Sequence, residues 1–206
     1  MEQREWKKCD LQTFWRNIAR KDHLVQLYES EKVFMETLEG YAGCGLLSGE
    51  SVIIIATQNH LDELQARLSN QHFDLAFLTS INQYIAVEAN EALAKFMRDG
   101  LPDAQLFAGY LKELLSLASS NGRHVRAFGE MVAELWQKGL YDATSTLEAI
   151  WANLHAQENF SLFCAYPKKC FVNVEKEKMK NIFKLPTMVI DGKPKPSTEI
   201  YYSSLN

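Results

Sequence analysis

From His23 to Pro167 the apolar residues follow two patterns that take turns. One is a short dense run: His23-Leu-Val-Gln-Leu-Tyr28, Ser51-Val-Ile-Ile-Ile-Ala56, Tyr84-Ile-Ala-Val87, the stretch His124-Val-Arg-Ala-Phe-Gly-Glu-Met131, and Phe160-Ser-Leu-Phe-Cys-Ala-Tyr166, stopped by Pro167. Continuous apolar and β-branched runs of this length predict strands buried on both faces, which pair in parallel. The other pattern repeats at three and four residues. Phe34, Leu38, Tyr41 and Gly45 behind the N-cap Ser30, Leu61 to Leu68 behind Asn59, Glu91 to Arg98, and Phe107, Leu111, Leu114 and Ala118 before Asn121-Gly122 each predict an amphipathic helix. Val132, Trp136, Leu147, Ile150, Trp151 and Leu154 trace one long or broken helical region, its tryptophans reading as core, and Phe73 to Leu78 predicts a further short strand. Strands alternating with helices in this way give an α/β fold, a three-layer and mostly parallel sheet with helices on both faces.

The two ends depart from this alternation. Residues 1–20 mix Trp6, Phe14, Trp15 and Ile18 with charges and predict a short amphipathic segment. Residues 21–168 hold the alternating domain, and residues 169–206 form a lysine-rich extension. Pro186, Pro194 and Pro196 keep that extension from being a regular helix, while Thr187-Met-Val-Ile190 before Asp191-Gly192 predicts an edge strand able to add to a partner or to a second copy in a homodimer.

Composition narrows the function. A net charge of −4 on 206 residues offers no basic footprint for direct nucleic-acid binding. No apolar run reaches the length that spans a bilayer and the first residues lack a signal core, so the expectation is a cytoplasmic chain with no membrane contact. Cys9, Cys44, Cys164 and Cys170 lack Cys-x-x-Cys spacing and read as reduced thiols, not metal ligands. A Gly-x-x-x-x-Gly-Lys-Ser/Thr phosphate loop (Walker A), a Gly-x-Ser-x-Gly elbow and a His-Glu-x-x-His pair are all missing, and Gly43-Cys-Gly45 follows a helix where a dinucleotide turn would precede one. No cofactor and no metal are therefore assigned.

The candidate chemistry lies at strand ends, because ligands of open α/β sheets gather at the carboxyl edge. Arg126 and Glu130 flank the strand that would hand over to a helix near Val132; they form either a structural ion pair or a ligand contact. His23 and Tyr28 bound the first strand and read as structural or ligand-facing, and Tyr166, at the end of the last strand, falls on the same edge as Tyr28 and Glu130 if the strands are parallel. A common cavity lined by Tyr28, Arg126, Glu130 and Tyr166 is the expectation. Carboxylate, guanidinium and phenol could do acid–base work, but no activated nucleophile or metal supports an enzyme.

Five motifs in register resemble the methanogen/methylotroph sensory domain, MEDS. They are His23-x-x-x-x-Tyr28-Glu29, Gly45-Leu-Leu-Ser-Gly49-Glu50 leading into Val-Ile-Ile-Ile-Ala-Thr57, Phe96-Met97 with Gly100-Leu-Pro102-Asp103, Arg126-Ala-Phe-Gly-Glu-Met131, and Phe160-Ser-Leu-Phe-Cys-Ala-Tyr-Pro167. The resemblance implies a RecA-like architecture without Walker A, acting as a non-catalytic sensory module that binds a small organic ligand and signals to a partner such as a histidine kinase or transcription regulator. The candidate ligand-binding residues on that reading are His23, Tyr28, Glu29, Arg126, Phe128, Glu130 and Tyr166. The alternative is a pure interaction module in signal transduction or transcription control whose site is only structural.

Overall fold

The computed structural model of the chain describes residues 6–171, 187–192 and 199–204. Its main sheet has the order β1-β10-β9-β2-β8-β7-β3-β4, built from β1 (Lys7–Asp10), β2 (His23–Tyr28), β3 (Ser51–Ala56), β4 (Tyr84–Glu88), β7 (Val125–Gly129), β8 (Phe160–Pro167), β9 (Met188–Gly192) and β10 (Glu199–Ser204). The six strands from β9 to β4 pair in parallel, and β10 and β1 extend the sheet by antiparallel pairing. A small hairpin of β5 (Met97–Arg98) and β6 (Leu101–Pro102) lies apart. β2 and β3 have the predicted bounds, because His23–Tyr28 and Ser51–Ala56 are buried almost throughout and nothing but strand pairing could satisfy their backbones there.

The period-two alternation of the parallel strands separates two cores. Leu24, Val52, Ile54, Phe128, Phe163 and Ala165 point to the face covered by α1 (Leu11–Arg16), α2 (Glu31–Leu47) and α3 (Gln58–Asn70). Val25, Ile53, Ile55, Ala127, Leu162 and Cys164 point to the other face, covered by α5 (Ala89–Phe96), α6 (Ala104–Ser119), α7 (Met131–Gln137) and α8 (Tyr141–Gln157). The single helical region expected after Val132 is broken into α7 and α8 at Gly139, whose φ of +75° ends a helix at little cost only for glycine. Leu140, next in the chain, starts α8 as its N-cap.

Four local expectations change. The N-terminal segment is a strand followed by a helix: Asp10 accepts a hydrogen bond from Thr13 N at 3.1 Å and starts α1 there, while Lys7–Asp10 pairs with β10. The strand expected at Phe73–Leu78 is the short helix α4 (Leu75–Ser80), because Asp74 accepts from Phe77 N at 3.0 Å and fixes a first turn; none of its residues is buried, so no sheet competes for it. Asn59 is not a cap, since α3 begins at Gln58 behind Thr57. The strand after Thr187 is not at an edge: β9 lies between β2 and β10, with Val189 and Ile190 buried. The lysine-rich stretch thus supplies two strands to the sheet. Its Pro186, Pro194 and Pro196 lie outside the described residues.

Candidate functional site

Parallel pairing brings the carboxyl ends of β2, β3, β7 and β8 to one edge, where Tyr28, Ala56, Gly129 and Pro167 hand over to helices. On the α2–α3 face of that edge the side chains of Tyr28, Glu31, Phe34, Thr57, His60, Phe128 and Glu130 converge. Phe34, on the first turn of α2, is the hub: it stacks on Tyr28 (centroids 4.8 Å), meets His60 edge-on (5.0 Å) and packs against Phe128 (5.8 Å).

Glu130 continues β7 by donating its N–H to Ile55 O at 2.8 Å, which points its side chain across the end of β3. The carboxylate accepts from Thr57 N at 2.9 Å and from His60 Nδ1 at 2.8 Å. It is therefore seated on the N-terminus of α3, where unpaired N–H groups and the helix dipole favour negative charge. His60 Nε2 lies 3.2 Å from Glu31 Oε1, so one imidazole bridges two carboxylates. Burial works against the imidazolium, but the hydrogen bonds and charges of Glu130 and Glu31 outweigh it and raise the His60 pKa above its ordinary value. His60⁺ consequently stabilises the fold in full below about pH 6.5, its unfolded value, and that contribution is lost as the pH rises through the elevated folded value. An NMR titration of the imidazole should give a midpoint above 6.5 that moves down in Glu130→Gln. An unchanged midpoint would remove Glu130 from the network.

Beside this cluster is an open cavity of about 300 Å³ lined by Tyr28, Glu29, Glu31, Pro167 and Lys169. Lys168 pairs with Glu29 at 2.8 Å and approaches Asp191 at 3.5 Å, tying the end of β8 to β2 and β9. Burial, then the charges of Glu31 and Glu130, push the Tyr28 phenol far above its usual range, so it stays protonated.

The common cavity of Tyr28, Arg126, Glu130 and Tyr166 is not formed. Arg126 lies near the opposite, amino end of β7; it pairs with Glu50 and not with Glu130, reaches Tyr41 O at 3.4 Å, and lies over the Tyr41 ring at 5.5 Å. The strand rise separates positions 126 and 130 by more than the reach of an ion pair. Gly45 admits the guanidinium, for a Cβ there would meet Arg126 Cδ at 2.9 Å. His23 is also far from the carboxyl edge, buried on the α8 face against His155 with centroids 5.6 Å apart; burial and then the charge of His155 lower its pKa to about 3.

Tyr166 shares the carboxyl edge with Tyr28 but alternation turns it to the α8 face, where its hydroxyl bonds Glu148. Burial raises the Glu148 pKa to about 7, against the opposing Tyr166 hydrogen bond. A carboxyl with a raised folded pKa stabilises below its unfolded value, about 4.3, and loses that contribution as the pH rises through 7. Glu148→Gln, which keeps an acceptor for Tyr166, should match the parent near pH 4 and exceed it at pH 8 by on the order of 3 kcal/mol in thermal melts. Equal pH dependence in the two proteins would contradict the assignment.

Of the candidate residues, the structure brings Tyr28, Phe128 and Glu130 into one cluster, with Glu29 on the adjoining cavity. Sequence reasoning missed Glu31, Thr57 and His60. Each lies just before or within the first turn of the helix that follows a parallel strand, and that position was the available signal.

Solved structures with the same fold include a protein from a structural study of Pyrococcus horikoshii OT3, at 10% identity and a TM-score of 0.56, covering 90% of this chain and 88% of that one. A KaiC-like protein of the same hyperthermophilic archaeon matches at 9% identity and a TM-score of 0.54, over 84% of this chain and 73% of that one. At these identities the likeness is one of fold, a RecA-like α/β sheet. No curated protein sequence matches the chain significantly. The sequence profile of the MEDS family, the methanogen/methylotroph, DcmR sensory domain, matches residues 22–179, from the start of the parallel sheet past the end of β8. The chain belongs to that sensory-domain family.

Proposed function

We propose that the chain is a non-catalytic sensor that binds a small organic ligand in the carboxyl-edge cavity and reports it to a signalling partner such as a histidine kinase or transcription regulator. The observation that carries this reading is the continuity from cavity to fold: Glu31 lines the cavity and contacts His60, which contacts Glu130 on the N-terminus of α3. A ligand that engages Glu31 changes the charge balance on His60 and so the coupling of α2, α3 and β7. Family membership supports the sensory role.

The lining also selects chemistry. Glu29 and Glu31 stand at the start of α2, the place where a helix N-terminus would otherwise attract phosphate, and the connection from β2 is only Glu29-Ser30. An anionic triphosphate is disfavoured there. The lining joins the Tyr28 and Pro167 rings to Lys169 and to two carboxylates, of which Glu29 is already paired with Lys168, so Glu31 is the acceptor it offers to a small uncharged or cationic molecule bearing N–H or O–H donors. Tyr28 and Glu29, with Glu31, are the ligand contacts on this reading, and Phe128 and Glu130 support them from behind. His23, Arg126 and Tyr166 act through the fold.

Calorimetry with Mg-ATP should give no saturable heat at micromolar concentration, and a thermal-shift panel of small amines, alcohols and amides should yield a saturable stabilisation that Glu31→Gln weakens. Tight Mg-ATP binding, or a panel with no saturable member, would overturn the proposal.

A further inference from the structure

The opposite, amino edge of the sheet holds a second open cavity, of about 330 Å³, whose lining includes Arg20, Arg123, His124 and Glu158. Two features give it a chemical preference. Among the described residues Arg20 has no acidic partner, and Arg123 is engaged through Nη1 alone, with the carbonyl of Ile81 at 3.1 Å. Guanidinium groups usually end on carboxylates or phosphates, for which their forked donors are matched. The one carboxylate in the lining, Glu158, is within 3.6 Å of Lys112 Nζ.

His124 lies in the wall beside them and serves as a reporter of the site. Ser161 Oγ donates to Ala19 O at 3.1 Å and so spends its single proton; the 3.0 Å contact with His124 Nε2 then requires that nitrogen to donate. Nδ1 is left as a buried acceptor with no partner among the described residues. Burial lowers the His124 pKa first; of the charges, that of Glu50 raises it and those of Arg20 and Arg126 lower it. α6 and α8 end here and present carbonyls, which offset part of the field of Arg20 and Arg123; two full guanidinium charges exceed the partial charges of two helix ends.

We propose that this amino-edge cavity is a second ligand site, for a small oxyanion held by Arg20 and Arg123, distinct from the carboxyl-edge site. A phosphate group fits the donor set most fully: its several oxygens accept from the forked donors of both guanidiniums at once. A carboxylate, with two oxygens, fills one fork. The source is either free phosphate or the phosphate of a small ester, and the two share this chemistry.

The test is a titration of the full chain with inorganic phosphate, with glycerol phosphate, and with acetate, each against sodium chloride at matched ionic strength, followed by thermal shift and by the His124 imidazole NMR signals. Saturable stabilisation by phosphate with a moving His124 signal is expected, with affinity reduced at least about tenfold, the scale of one lost charge-assisted hydrogen bond, in Arg20→Gln and Arg123→Gln. Arg20 is exposed, so Arg20→Gln tests the site even if Arg123→Gln folds poorly. Stronger binding of glycerol phosphate than of phosphate identifies an ester site, and the reverse a free-phosphate site. Stabilisation equal to that of sodium chloride, or a response that survives in Arg20→Gln, or acetate binding as tightly as phosphate, would overturn the proposal.

Discussion

Truncation after Phe171 should unfold the protein or lower its melting temperature by more than about 10 °C, the shift that a few kcal/mol produce in a domain of this size. β9 is an interior strand, hydrogen-bonded to β2 on one side and β10 on the other, and Val189, Ile190 and Ile200 are buried. Removing three buried aliphatic side chains forfeits roughly 1.5–3 kcal/mol each, a sum comparable with the whole stability of a typical domain, about 5–15 kcal/mol. The cut also leaves β1 without its strand neighbour among the described residues, strips Tyr202 from Phe14, where the rings are 4.8 Å apart, and exposes one edge of β2. Circular-dichroism melts decide the matter. A truncated chain that melts with the full-length protein would mean that residues 172–206 are a separable appendage.

Glu50→Ala should cost about 3 kcal/mol, the effect of leaving a buried charge without its partner. Arg126 is 2% exposed and its ion-pair partner is Glu50, whose side chain is 20% exposed. The Tyr41 ring and carbonyl do not replace a carboxylate. Arg126→Met combined with Glu50→Ala should recover most of the loss, because a buried ion pair and a well-packed apolar side chain of similar volume are close in free energy. Chemical denaturation of the single and double variants checks both statements. A Glu50→Ala protein as stable as the parent would mean that Arg126 is solvated or paired elsewhere.

The sequence made the parallel core legible because its strands are continuous apolar runs; Ser51–Ala56 has no other way to be buried. The same logic failed at Phe73–Leu78, where β-compatible residues sit behind a capping aspartate and nothing packs on them. After Pro167 the strand at Thr187–Ile190 was legible but its interior place was not, because the surrounding lysines and prolines made the segment read as an appendage. At the site, the edge was readable but the face was not. Tyr28 and Tyr166 both end strands, yet the parity that turns one to α2 and the other to α8 depends on register, which a one-residue slip would reverse. Arg126 and Glu130 look paired in sequence because both are charged residues in one apolar strand. Arg126's partner, Glu50, precedes β3, and Glu130's partner, His60, is on α3, so neither contact is local.

The most direct test of a ligand at the carboxyl edge is an NMR shift map of the full chain with the most stabilising compound of the amine, alcohol and amide panel. Shifts should concentrate at Tyr28, Glu29, Glu31 and Lys169, the His60 imidazole should move with them, and Glu31→Gln should weaken the response. Shifts confined to other surfaces, or an unchanged His60 at saturation, would contradict a ligand at this edge.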